Sequence, residues 1–509
     1  VFNRVGYTRI FLLFIFLLSF SSVSAQKRTI NILNAETLEY DDDLGDNVQR
    51  LKGDVQFENK GLLLYCDSAY FYPNNFIEAF GKVHANKGDS VHLYSNELEF
   101  DGDKQIAVAI GEVQLKDREM SLKTDRLNFD IKENTSSYFT GGEIINKDNT
   151  LSSKRGYYNS VTKIFSFKDS VILKNPEYTM YTDTLQFNTV SEIAYFLGPT
   201  TIISKESIIY TEKGWYNTQS NKSELSQKNR LSTDEQTLDA DSILYNRNNG
   251  IARAFSNIVI IDTTNKITIK GEIGIYNQKT QRSFVTDRAT MIQAFDEDSL
   301  FLHADSLWVH RDTLEKQNEI FAYYNSRFFK SDLQGVCDSL VYIQKDSLIR
   351  MYTEPIIWSE GNQLTGEYME LYVYDGELKQ LNIDKNAFII SEVDSSHFNQ
   401  IKGREMRAMF KNNEMDRIYV NGNGQTVYFA EEEKKKDKKK IIGVNNLDCS
   451  DIIVYVKESE IHSMTFLQQP NGVMTPIKKA NSSQLKLEGF ILRTDEKPLS
   501  KEDIYTPRN

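Results

Sequence analysis

Apolar and polar residues alternate along most of this chain, in runs bounded by Asn, Asp, Lys and Gly. Phe76-Ile77-Glu78-Ala79-Phe80-Gly81-Lys82-Val83 is one run, and Ile106-Ala107-Val108-Ala109-Ile110-Gly111-Glu112-Val113-Gln114-Leu115 is another. A period of two belongs to a β-strand with one apolar face. The alternation also repeats at longer range. Phe71, Phe100, Phe129, Tyr158, Phe187, Tyr216 and Tyr245 follow one another at intervals of 29 residues. Two positions earlier stand Ala69, Leu98, Leu127, Gly156, Leu185, Gly214 and Ile243, and two before those a mostly acidic set, with Asp67, Asp125, Asp183 and Asp241. The unit reads small-Asp-x-Leu-x-aromatic, as in Thr124-Asp125-Arg126-Leu127-Asn128-Phe129.

Further copies occur at Ala304-Asp305-Ser306-Leu307-Trp308-Val309 and Cys337-Asp338-Ser339-Leu340-Val341-Tyr342, with looser ones around Leu371-Tyr372-Val373 and Met409-Phe410. Each unit is expected to hold two short strands and two turns. Units that cannot bury an apolar face alone must stack. The predicted fold is all-β: an elongated β-jelly-roll or solenoid-like stack of roughly 29-residue two-strand repeats. About thirteen units fit between Ile30 and Gln468, each adding one strand to each of two facing sheets, with equivalent aromatics about 4.8 Å apart. Residues 220–237, rich in Ser, Asn, Lys and Gln, are the weakest unit and a candidate bend. The run 431–440 (EEEKKKDKKK) reads as a solvated hairpin loop. Residues 469–509 form a tail in which the repeat fades, with one apolar patch from Leu485 to Leu492.

Composition agrees with a strand-rich chain. Tyr (27) and Phe (29) are abundant, whereas Pro (8) is scarce. The net charge of −12 argues against nucleic acid, which calls for a basic face. Residues 1–25 read as a signal peptide: Arg4 and Arg9, then the apolar run Ile10 to Leu18, then Val23-Ser24-Ala25. Its removal takes away those two positive charges and leaves −14. The remainder is expected to be exported.

The three cysteines, Cys66, Cys337 and Cys449, are too few for a disulfide framework and read as small buried residues. Of the six histidines only His303 and His310 lie close on one candidate strand, and an odd offset of seven places them on opposite faces. The recurring Asp invites comparison with calcium-binding β-rolls, but their Gly-rich nonapeptide is absent. A turn role suits it better. No phosphate loop, HExxH or GxSxG is present, so no enzyme activity, cofactor or metal is expected.

Ala35-Glu36-Thr37-Leu38-Glu39-Tyr40, then Leu51-Lys52-Gly53-Asp54-Val55-Gln56-Phe57, then recurring Asp-x-Leu-x-Phe and Gly-x-Val-x-Leu pairs carry a resemblance. The chain resembles the OstA/LptA family of periplasmic lipopolysaccharide-transport proteins, in the long OstA-like form. The match is best from Ile30 to Ile202, which suggests domains at 26–202 and 203–468. The resemblance implies a β-jelly-roll whose apolar lumen holds lipid A acyl chains for transfer toward the outer membrane. It also implies a periplasmic location alongside the outer membrane and partners from the same transport system joined by edge-strand pairing; the open edges of such a stack also suit end-to-end association of copies of this chain. The lumen would be lined by Phe71, Leu98, Phe100, Ile106, Val108, Leu127, Phe129, Leu185, Phe187, Ile243 and Tyr245. The alternative is a structural or adhesive secreted β-solenoid without a lipid ligand.

Overall fold

The computed structural model describes residues 30–507, apart from positions 41, 42, 44, 89, 90, 117–119, 147, 312–317, 375, 413, 435–437, 458 and 459. The candidate signal peptide lies outside the described residues. The fold is all-β, with 38 strands among the described residues and antiparallel pairing throughout the ladders described below. The one α-helix among the described residues is the single turn Ser482–Leu485. The chain divides into two compact units between Thr140 and Gly141.

The first unit is a meander of long strands: Gln49–Asn59, Leu62–Phe71, Phe76–Lys87, His92–Asp101, Ile106–Lys116 and Met120–Asp130. These are 10 to 12 residues long, not the short strands expected. The Gly and Asp residues that read as turns lie inside them, at a corner. Gly53-Asp54, Gly81-Lys82 and Gly111-Glu112 are consecutive pairs in the left-handed region, and the pairing register shifts at each. The recurring acid or amide sits on the adjoining strand. A Cβ on Gly81 would lie 2.5 Å from Oδ2 of Asp67, and one on Gly111 2.9 Å from Nδ2 of Asn96. Glycine is therefore required there twice over, for its φ of +75° to +76° and for the close approach.

The corner explains the motif. In an unbroken strand the small residue and the Leu three positions later would face opposite ways. Here both are buried: Cys66 with Ala69, Ser95 with Leu98, Thr124 with Leu127. The intervening Asp-x turns outward and reverses the phase. The small hydroxyl donates back across the kink, Ser95 Oγ to the carbonyl of Glu97 at 2.8 Å and, in the second unit, Thr211 Oγ1 to Lys213 at 2.9 Å. Cys337 Sγ occupies the same place, 3.2 Å from the carbonyl of Ser339. Cys66 and Cys337 are buried, whereas Cys449 is only half-buried, a correction to the reading of all three as buried.

Each repeat thus adds two strands, not one, to each layer. Phe71 faces Ile77, which faces Phe100; Phe100 faces Ala107, which faces Phe129. Lattice aromatics therefore stand two strand spacings apart, about 9.6 Å instead of 4.8 Å. The strand between supplies Ile77 or the small Ala107, which leaves room for the rings.

The second unit uses the same device. Phe167 and Val171, either side of the left-handed pair Asp169-Ser170, share one core with Met180, Leu185, Ile243 and Ile258. The polar stretch 220–237 is structured: Lys222–Gln227 and Asn229–Ser232 flank another corner. Asn229, 3% exposed, accepts from Thr211 Oγ1 at 2.8 Å and donates to the carbonyls of Leu225, Ala240 and Asp241. Strands Glu414–Lys434 and Lys438–Lys457 carry the hairpin pairing into the charged run. After strand Asn471–Pro476 the chain turns back across the outer face of one layer. The buried Gln400 clamps its backbone at Leu485 and Leu487, and the buried Gln363 at Ile491 and Arg493, every bond 2.8 Å. Tyr505 ends the strap against Thr290 and His303.

Gly81→Ala should lower stability by roughly 1–2 kcal/mol, from left-handed strain plus the clash with Asp67. Urea denaturation of Gly81→Ala beside Gly81→Ala/Asp67→Ala should show partial recovery in the double variant. Burial pushes the Cys66 thiol up to about 12, with the neighbouring backbone bonds and Asp67 as smaller influences. A thiol reagent at pH 8 should leave Cys66 unmodified in the folded protein and label it once the chain is denatured.

Candidate functional site

In the second unit the two layers meet at the corners and part at the opposite edge. At this open edge lies a cavity of about 1130 Å³, somewhat above the usual range of roughly 300–1000 Å³ for small-molecule sites. Its floor is apolar. One layer contributes Met291, Leu302 and Phe328, from strands Thr290–Ala294, Ser299–His303 and Asn318–Lys330. The other contributes Leu340, Ile349 and Leu371, from Leu333–Ile343, Leu348–Tyr352 and Tyr368–Tyr374. All six are members of the buried core.

The lips are polar. Five acids (Asp296, Glu297, Asp298, Asp332, Glu377) and two lysines (Lys266, Lys330) give the lining a formal charge of −3. Lys266 pairs with Asp296 at 3.1 Å and Lys330 with Asp332 at 2.6 Å. Asp298 Oδ2 accepts from Ser331 N at 3.1 Å and Ser331 Oγ at 2.5 Å. Burial raises the Asp298 carboxyl, but the bonds from Ser331 and Ser299 and the Lys330 charge together outweigh it, so its pKa lies below the usual carboxylate value. Phe295 leans across the mouth onto Gly376, where a Cβ would stand 2.7 Å from its ring. Inside, Gln293 donates to the carbonyl of Asn265 at 2.9 Å, while its own Oε1 is buried without a partner.

None of the eleven residues anticipated as a lumen lines this cavity. Leu98, Phe100, Leu127, Leu185 and Ile243 are buried in their own stretches of core. Phe71, Val108, Phe129, Phe187 and Tyr245 are half-buried. Ile106 and Val108 face the wrong way for an interior role: they stand opposite Asp101 and Glu99, and Ile106 is 39% exposed. Ala107 and Ala109 hold the inner face, because Phe100, Leu98, Leu127 and Phe129 on the flanking strands already fill it.

Later repeat copies supply the cavity. Leu340 and Tyr342 occupy the Leu and aromatic positions of one copy, and Leu371 takes the aromatic position of the next, in register with Tyr342 through Ile349. Extending the register into the degenerate copies would have found them. The opposite wall, around Met291 and Leu302, carries no such signal. His303 and His310 lie on separate strands, His303 Nδ1 against the Ala289 carbonyl and His310 Nδ1 against Glu319. Among the described residues no three of His, Cys, Asp and Glu converge as a metal site.

Residues 27–183, and again 178–241, match the family described as OstA-like protein. Solved structures similar to the chain include LptH from Pseudomonas aeruginosa, described as the LptA homologous periplasmic component of the conserved lipopolysaccharide transport device. The two share 12% identity over 19% of this chain and 76% of that one, with a TM-score of 0.18. No curated protein matches.

The stability that Asp298 confers is present above the ordinary carboxylate pKa and is lost as pH falls through its depressed folded value. Acid should therefore loosen the lip. The fall in Tm below about pH 4 should be shallower in Asp298→Asn than in the unaltered protein.

Proposed function

We propose that this protein binds lipopolysaccharide and passes it toward the outer membrane, with lipid A acyl chains in the apolar interior of the jelly-roll. The proposal includes a periplasmic location and no catalytic step. The observation that carries it is the cavity between the parted layers, apolar within and charged at the lips, in a chain whose residues 27–241 match the OstA-like family.

Magnitudes limit how such a carrier works. At about 0.8 kcal/mol per buried methylene, one sequestered chain of 12–14 carbons is held by roughly 10 kcal/mol. Several chains fully buried would scarcely leave, so burial must be partial and the mouth open. The acidic lips repel anionic headgroups, which favours contact through the tails with phosphates left in solvent. Phe295 is then the gate that tails pass. Exposed edge strands support handover by sheet extension: Thr37–Tyr40, with Leu38 and Tyr40 exposed, in the first unit, and Glu460–Leu467 in the second.

Photo-crosslinking tests the reading. Photoreactive residues at Leu340 and Phe295, both lining the cavity, should capture lipopolysaccharide, and one at Glu99 should not. Leu371→Trp should cut the lipid that co-purifies, measured by native mass spectrometry, at least several-fold with the far-UV circular dichroism unchanged. Equal labelling of all three positions, or none, would leave a structural β-solenoid as the better account.

A further inference from the structure

The strands Phe76–Lys87 and His92–Asp101 bring two histidines together that the sequence keeps eight residues apart. In the ladder His84 stands opposite Tyr94 and Asn86 opposite His92, all on the outward face, while Val83, Ala85, Leu93 and Ser95 point to the core. His84 Nε2 and His92 Nδ1 are 3.2 Å apart. Rings stack around them: Tyr94 lies 4.6 Å from His84 at an interplanar angle of 4°, and Tyr65 lies 5.7 Å away on the adjoining strand. Both imidazoles are thus held in place. The third feature is Asn86, whose side-chain Oδ1 is buried and has no hydrogen-bond partner.

We infer that His84, His92 and Asn86 form a binding site for a single borderline divalent transition metal ion, with zinc the natural occupant. Two imidazole nitrogens at about 2.0–2.1 Å from one tetrahedral ion stand roughly 3.3 Å apart, close to the separation present here. In the free protein one ring nitrogen donates to the other. On binding an ion the donor ring would change tautomer, its shared proton moving to its far nitrogen, so that each neutral imidazole carries its N–H on the far side and offers the near nitrogen to the metal. The Asn86 oxygen would gain a partner, and water would complete the shell. Imidazole ligands select zinc, copper or nickel over calcium or magnesium, which prefer oxygen. One group opposes the ion: Lys116, exposed and opposite His92 in the ladder, has its ammonium 5.8 Å from the Tyr94 ring centre. The site is independent of the second-unit cavity, so its failure would leave the lipid reading untouched.

Titration of the untagged full chain with zinc chloride against a chromophoric chelator tests the inference. One ion per chain is expected. His84→Ala and His92→Ala should each weaken binding at least about tenfold, and Asn86→Ala by less. Lys116→Met should strengthen it. His462→Ala, a histidine on Glu460–Leu467 in the other unit, should change nothing. His84→Gln, which keeps a hydrogen-bonding side chain, separates loss of a ligand from loss of fold: zinc binding should fall while the urea midpoint holds. Zinc uptake unchanged in the His84→Ala/His92→Ala double variant, lost equally in His462→Ala, or absent altogether would overturn the inference.

Discussion

The fold depends on one backbone event, the left-handed pair that turns a strand without ending its hydrogen-bonded ladder. Two consecutive residues at positive φ leave the ladder, the register shifts, and the strand resumes in a second layer. Because the turn keeps apolar positions four apart on the inside, as with Leu51 and Val55 or Ala79 and Val83, both halves face one core. Residues with a Cβ also take this conformation, at Asp169-Ser170, Ser256-Asn257 and Tyr324-Asn325. There the neighbouring acid often supports the corner: Asn257 Nδ2 donates to Asp241 at 2.7 Å and Asn325 Nδ2 to Asp305 at 3.0 Å. The acidic column is a set of acceptors for strained corners and has no need of a cation.

Closing every strand at one edge leaves the other edge of the layers to side chains. Where large residues meet, they fill it. Above the buried Met291, Leu302, Leu340 and Leu371 the strand ends around Asp298, Asp332 and Glu377 do not, and a cavity results. The strap formed by residues 477–505 acts on the outside of the same unit. By covering one layer it lets Ile356-Ile357-Trp358 and Ala387-Phe388-Ile389-Ile390 be buried on both faces. Those unbroken apolar runs are the mark of a strand with two dry sides, in a chain that elsewhere alternates. Two glutamines and an asparagine reach the strap's backbone and satisfy what would be orphaned polar groups.

The arrangement gives the interior and the surface separate chemistries. Inside, contacts are non-directional and tolerate flexible alkyl chains. Outside, ring stacking and hydrogen bonds hold side chains such as His84, His92 and Tyr94 in fixed relation on a pleated face. One strand pair can therefore serve a packed core and a directional outer site at once, since alternate residues never share a face.

The sequence by itself determined that the chain is all-β, where its repeats lie and which lattice positions are apolar, because a period of two and a fixed 29-residue interval are local properties. It also settled the bland role of Cys66 and Cys337, which fall on the small-residue column. It could not show that Gly81-Lys82 or Asp169-Ser170 are corners within a strand, because turn residues look alike whether the chain reverses or merely bends. Nor could it place Ile106 on the outer face, since an alternating run fixes which residues share a side but not which side is dry. That choice belongs to Phe100 and Phe129 across the ladder. The cavity, the strap and the meeting of His84 with His92 were decided by tertiary structure alone. Each depends on which strands become neighbours and where two layers part, and that information resides in the packing of the whole unit.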